Sequence, residues 1–175
     1  MILTGEKIIN EIRKGNITIK PFDALLINPN SYNFRLGDIL YQLNNILLDP
    51  TQESKYKEIV LTDEGFTLQP NQLYLSNTFE EIGSKIYAMT LIGRSSIGRL
   101  GLFLQVSAPL GHVGSKHCWT LELKVVQPLK VYPKMKIGQI SFWKVDGKWE
   151  GHYFSAYWDY SKPEISRLYK EVEDK

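Results

Sequence analysis

Residues 117–126 read HCWTLELKVV, and the alternation in this stretch decides the fold class. In an extended chain, successive side chains leave opposite faces of a sheet. Trp119, Leu121, Leu123 and Val125 then share one face, and Thr120, Glu122, Lys124 and Val126 share the other. The flanking segments repeat the pattern. GFTLQPNQLYLSNT (65–78) puts Pro70 and Asn71 at a turn and alternates through Leu73 and Leu75. YPKMKIGQISFWKV (132–145) turns at Pro133 and continues as a strand, and Asp146-Gly147 is a hairpin signal. Upstream, Ser31 to Leu36 is strand-like and NITIKPF (16–22) is a short extended piece ended by Pro21.

The N-terminus differs. Thr4 can cap a helix, Ile8, Ile9 and Ile12 fall on one helical face, and Gly15 supplies the stop. Residues 41–66 are polar and irregular, and LLDPTQESKYKE (47–58) reads as a surface loop away from any core. The whole predicts a mainly β fold, a barrel or sandwich of short strands behind an N-terminal helix. A length of 175 residues suits one domain, 1–175. Residues 152–175 are aromatic, then basic, then acidic, and read as a C-terminal arm that packs on another subunit or closes over a ligand.

Composition excludes several classes. Twenty-one basic against nineteen acidic side chains leave a net charge of +2, too weak to argue for duplex nucleic acid. No apolar run approaches the roughly 18 residues that span a bilayer, and acids in the first helix argue against a leader, so no membrane association is expected. Cys118 is the single cysteine, which fits a cytoplasmic location. Zinc nucleobase deaminases need a Cys-x-x-Cys pair beside a further His or Cys. Here one cysteine accompanies His112, His117 and His152, so neither zinc nor another protein-held metal is expected.

Two features carry chemistry. GRSSIGRLG (93–101) packs two arginines, two serines and three glycines between apolar runs. Forked guanidinium groups, hydroxyls and closely approachable backbone are what a phosphate chain requires, and Arg94, Ser95, Ser96 and Arg99 offer them together. The alternative is a polar turn with solvated arginines. Glu122, alone among acids in mid-strand, is either an edge charge paired with a neighbour such as Lys124 or a general base on a rigid strand.

GRSSIGRLGL followed by TLEL resembles the dCTP deaminases of the dUTPase superfamily. SYNFRLG, LQPNQLYLSNTFEEI, YPKMKIGQISF and AYWDYSKPEISRL are similar to further family segments in the same order. The resemblance implies a distorted β-barrel or jelly-roll of the dUTPase type, assembled as a homotrimer with active sites between subunits. It implies zinc-independent deamination of dCTP to dUTP and ammonia, with Mg2+ bound to the triphosphate and not through protein ligands. Matched by position, Glu122, Ser95 and Arg99 are the catalytic set. Arg94 and Ser96 contact phosphate, and Tyr157 is the arm tyrosine covering the nucleotide.

The chain departs from that pattern after Pro109. His112 occupies a usually acidic position in the turn that cradles the sugar, and Ser115 an aromatic one, while Gly114 is retained. Asn33 replaces an early aspartate. His112 is read as a substrate-binding residue, with a neutral loop residue and an altered substrate as the alternatives. The matching aspartate of dUTPases activates water against the triphosphate, so its replacement weighs against phosphate hydrolysis. dUTP diphosphatase or bifunctional activity, and a catalytically weak deoxynucleotide-binding regulator, are the rival functions.

Overall fold

The computed structural model describes residues 1–44, 47–105, 107–147 and 161–173. The first helix, α1 (Gly5–Arg13), starts where the sequence placed it. Thr4 Oγ1 accepts from the Lys7 N–H at 3.4 Å, and Gly15 takes the left-handed conformation at φ +73°. Ile8 is fully buried. Glu11, with a side chain 3% exposed, is held by Lys7 Nζ at 3.1 Å, Lys14 Nζ at 3.2 Å and Asn16 Nδ2 at 2.7 Å. These contacts tie the helix to the turn that follows it.

Thirteen strands account for nearly half of the described chain. In chain order they are β1 (Ile17–Lys20), β2 (Ile27–Asn28), β3 (Ser31–Arg35), β4 (Ile39–Leu43) and β5 (Tyr56–Val60). There follow β6 (Phe66–Leu68), β7 (Leu73–Ser84) and β8 (Tyr87–Gly93), then a single helical turn, α2 (Ser95–Gly98). After it come β9 (Leu102–Leu104), β10 (Leu110–Gly111), β11 (Lys116–Val125), β12 (Leu129–Val131) and β13 (Lys136–Lys144). A short helix, α3 (Leu168–Glu173), ends the described chain.

One sheet has the order β5-β4-β7-β11-β9, with β1 also on β7; the other has the order β10-β8-β13-β3-β2. A two-stranded ribbon pairs β12 with β6. The main core draws on both sheets: Leu121 and Leu123 of β11, Leu91 of β8, Ile140 and Phe142 of β13. The mainly β fold behind an N-terminal helix is thus present. Its sheets stay open at their edges and do not close into a ring among the described residues. An ion pair locks the two sheets together where β3 meets β7. Arg35 donates from Nε to Glu80 Oε1 at 2.6 Å and from its backbone N–H to Oε2 at 2.9 Å, and the Glu80 side chain is fully buried.

The 41–66 expectation needs correction. The segment is not all irregular: Tyr56–Val60 pairs antiparallel with β4 from Leu43↔Tyr56 to Ile39↔Val60. β5 is an edge strand with mostly exposed side chains, so it lacks the apolar alternation that marks a half-buried strand. Backbone pairing holds it instead. Beneath lies a second apolar cluster of Tyr41, Leu43 and Leu75, joined by Ile165 from the C-terminal segment. This cluster sits apart from the main core.

Candidate active site

β11 positions the site. Leu121, Leu123 and Val125 are buried as the alternation requires, which turns Glu122 to the opposite side. Along one edge β11 pairs with β7, Glu122 lying opposite Leu75. Along the other edge β9 covers only Leu123 to Val125. β9 stops because Gln105 adopts φ +51° and turns the chain away. The Gln105 side chain folds back: Oε1 accepts from the Glu122 N–H at 2.9 Å, and Nε2 donates to the Ala108 carbonyl at 3.3 Å.

That bond fixes which way the open edge faces. The N–H and C=O of one strand residue point to the same edge and alternate with those of its neighbour. The Glu122 N–H points toward Gln105, so the main-chain groups of Thr120 point the same way. The Trp119 N–H points oppositely and donates to Thr78 Oγ1 at 2.9 Å. Among the described residues no strand covers this edge from Lys116 to Leu121. Thr120 therefore offers one donor and one acceptor side by side, next to the carboxylate of Glu122.

A cavity of about 640 Å³ lies along this edge, with Glu122, Thr120, Trp119, His117, Ser115 and His112 in its wall. Loop residues Asp49, Pro50 and Gln52 and the C-terminal residues Glu164, Ile165 and Tyr169 form the other side. The C-terminal segment is pinned there. The Glu164 N–H donates to Thr120 Oγ1 at 3.1 Å, Asn77 Nδ2 donates to the Ser161 carbonyl at 3.2 Å, and the Tyr169 hydroxyl meets Glu53 Oε1 at 3.3 Å.

At the far end of the cavity the backbone pairing of β11 with β7 is irregular. Between Cys118 and Thr120 the register jumps from Glu81 to Asn77, so Trp119 alone faces Thr78, Phe79 and Glu80. Trp119 is anchored by Nε1 donating to the Ile82 carbonyl at 3.0 Å. The His117 ring lies against it, centroids 4.2 Å apart, and burial holds the imidazole below its ordinary pKa. Burial likewise pushes the Cys118 thiol up. The 112–115 turn is clamped to the end of β7: the Gly114 N–H donates to the Ser84 carbonyl at 2.8 Å, with Gly114 at φ +91°. Among the described residues Ser115 Oγ is buried without a hydrogen-bond partner.

The structure brings Glu122 and His112 into one cavity. It does not bring the arginine-serine corner there. Arg94 precedes the single turn α2, and its Nη1 donates to the Lys136 carbonyl at 3.2 Å. Ile97 is buried and anchors the turn, whereas Ser95, Ser96 and Arg99 are exposed, and none of the four polar residues lines the cavity. Tyr157 lies outside the described residues. Asn33 has a role in the other sheet, donating to the Leu26 carbonyl at 3.3 Å and Asn28 Oδ1 at 3.1 Å. Sequence reasoning missed the open edge at Thr120, the His117–Trp119 pair and the place of the 47–54 loop in the cavity wall. Only the unusual density of aromatic and imidazole rings just before TLEL hinted at the second.

Among the described residues no helix is long and apolar enough to cross a membrane. A family model described as dCTP deaminase-like matches residues 2–145. A Hathewaya histolytica protein named "dCTP deaminase, dUMP-forming" is 40% identical over 173 residues, covering 99% of this chain and 100% of its own. A Rhodopirellula baltica protein named "dCTP deaminase" is 44% identical over 147 residues, 84% of this chain and 74% of its own. The crystal structure of 2'-deoxycytidine 5'-triphosphate deaminase from Agrobacterium tumefaciens shares the fold, with a TM-score of 0.65 at 20% identity. That match covers 81% of this chain and 47% of the solved one.

Proposed function

The chain belongs to the dCTP deaminase-like family, and from that membership we propose that it deaminates dCTP hydrolytically with Glu122 as proton shuttle. The observation that carries this reading is Glu122 in a cavity wall, one residue pair along from Thr120, whose main-chain donor and acceptor no strand covers among the described residues. A cytosine ring presents a matching acceptor and donor on its pairing edge. Bound there, it brings C4 toward Glu122. The carboxylate takes a proton from water as the oxygen bonds to C4 and the ring electron pair moves to N3. The two protons of that water end on N3 and on the departing nitrogen, the C4–N bond breaks, and ammonia leaves. Positioned acid–base catalysis of this kind contributes about 10²–10⁴ in rate.

In this reading a second copy completes the site. Ser95 positions the water, Arg99 holds Glu122 or the developing charge, and Arg94 and Ser96 bind phosphate, all from a neighbouring subunit of a homotrimer. Support comes from the exposure of Ser95, Ser96 and Arg99 outside the cavity of their own chain. Magnesium arrives on the triphosphate and neutralises its charge. The donor set suits that route. Asp49 is engaged by Thr51 and Glu164 by Arg167, and among the described residues no three His, Cys, Asp or Glu side chains converge.

The product is read as dUTP, because His112 stands where a phosphate-hydrolysing relative uses an acid. The second reading, onward cleavage to dUMP, is favoured by the names of several relatives. One assay separates them: dCTP is supplied to the purified protein, and ammonia and pyrophosphate are followed together. Ammonia alone supports the first reading, both products the second. Full activity in Glu122→Gln overturns the mechanism.

A further inference from the structure

We propose that His117 is the sugar-recognition residue of this site, its Nε2 accepting a hydrogen bond from the 3'-hydroxyl of the bound nucleotide. The inference rests on the deaminase reading above and adds a contact to it.

The argument begins with the tautomer. His117 Nδ1 lies 3.2 Å from the Cys118 carbonyl oxygen, which can only accept, so Nδ1 carries the ring hydrogen. In the neutral imidazole Nε2 is then a bare acceptor. Partial burial of the ring favours that neutral form. Nε2 has no hydrogen-bond partner among the described residues, and the buried unpartnered side-chain atoms there are Asn77 Oδ1 and Ser115 Oγ. Nε2 is thus open to solvent on a ring that lines the cavity. Trp119 backs the ring and is itself bonded to the Ile82 carbonyl, so the acceptor is held in place.

A bare acceptor selects a donor and repels phosphate oxygens. A fully ionised dCTP has two donor groups, the exocyclic amine and the 3'-hydroxyl. The amine is engaged by the Thr120 carbonyl and Glu122. His117 lies five residues along the strand, about 16 Å between backbones at the usual strand rise. Both residues line the same cavity, whose volume of about 640 Å³ has room for a nucleoside between them. The remaining donor, on the sugar, falls at the His117 end. His112 and Ser115 line the same cavity.

The test compares dCTP with 2',3'-dideoxycytidine triphosphate in wild type, His117→Phe and His117→Asn. Phenylalanine keeps the ring against Trp119 and removes the acceptor; asparagine keeps an acceptor. Wild type is expected to favour dCTP by about 10- to 100-fold in kcat/KM, the range for one buried hydrogen bond. His117→Phe is expected to bring that ratio below about threefold, chiefly by weakening dCTP, with a thermal melt of the variant as the control for folding. His117→Asn should recover part of it. A wild-type ratio near one, or a ratio preserved in His117→Phe, overturns the inference while leaving deamination intact. If wild type turns over neither nucleotide, the deaminase reading fails, and the same ratio is taken from calorimetric Kd values. Absence of binding by both overturns the two together.

Discussion

Gln105 Oε1 receives the backbone N–H of Glu122 at 2.9 Å, one residue past the point where β9 leaves β11. The bond occupies a strand-ladder position with a side chain. It closes the ladder at Glu122 and leaves the next outward-facing residue, Thr120, uncovered. Gln105 is itself buried and held by the Ala108 carbonyl. Replacing it by alanine strands the Glu122 N–H and frees the chain that leads to the cavity wall. Gln105→Ala is expected to lower kcat about tenfold, the equivalent of one lost hydrogen bond, with a smaller change in KM. Gln105→Glu keeps the acceptor for the Glu122 N–H but loses the donor to the Ala108 carbonyl, and should fall between wild type and Gln105→Ala. Steady-state kinetics on both variants decide it; an unchanged kcat in Gln105→Ala removes Gln105 from any positioning role.

The separation of the arginine-serine corner from the Glu122 cavity makes a prediction that no single-chain site can share. Glu122→Ala and Ser95→Ala should each be inactive as homotrimers. Mixed in equal amounts, partly unfolded and reassembled, they should recover activity at about a quarter of the sites by random assortment in a cyclic trimer. Each recovered site takes its glutamate from one subunit and its serine from the next. No recovery in mixtures shown by native mass spectrometry to contain both subunits would sink the shared-site reading.

Stability should hinge on Arg35 and Glu80. The carboxylate is fully buried and meets both the guanidinium and the backbone N–H of Arg35. Removing one partner leaves a buried charge uncompensated, at a cost of about 3–5 kcal/mol. Arg35→Ala is therefore expected to shift the urea midpoint sharply downward. Arg35→Ala with Glu80→Leu should recover part of the loss, because the double variant buries no lone charge. Equal midpoints for wild type and Arg35→Ala would show that the pair adds nothing.

These relationships differ in how far they can be read from the chain alone. The face assignments in β11 follow from alternation, because one side is buried and the pattern must show it. The cap at Thr4 and the stop at Gly15 follow from local chemistry. β5 was hidden because an exposed edge strand is held by backbone bonds that leave no side-chain signature. Glu122 was visible as an isolated acid, but its neighbour Thr120 contributes through main-chain atoms, which sequence does not distinguish. His117 stands out in the sequence only as one of three histidines that, with one cysteine, match no zinc pattern. The end of β9 opens one edge, the irregular pairing with β7 at Trp119 breaks the alternation, and the imidazole and the carboxylate come to share a cavity. Both depend on long-range pairing.

Acid should loosen the N-terminal helix first. Asn16, then Lys7 and Lys14, bond the Glu11 carboxylate and draw its pKa down from 4.5 to about 2. A depressed folded-state pKa means that the unfolded chain binds the proton more readily. The contribution of Glu11 is therefore fully present above the unfolded value of 4.5, and it drains away as pH falls through the window down to about 2. Glu11→Gln removes the charge at every pH. Its Tm is expected to lie below wild type at pH 7, with the gap constant down to about pH 5 and closing toward pH 2. Thermal melts of the two proteins at stepped pH give the curve directly. A gap that stays constant from pH 7 to pH 2 would mean that the carboxylate is not what holds α1 to its turn.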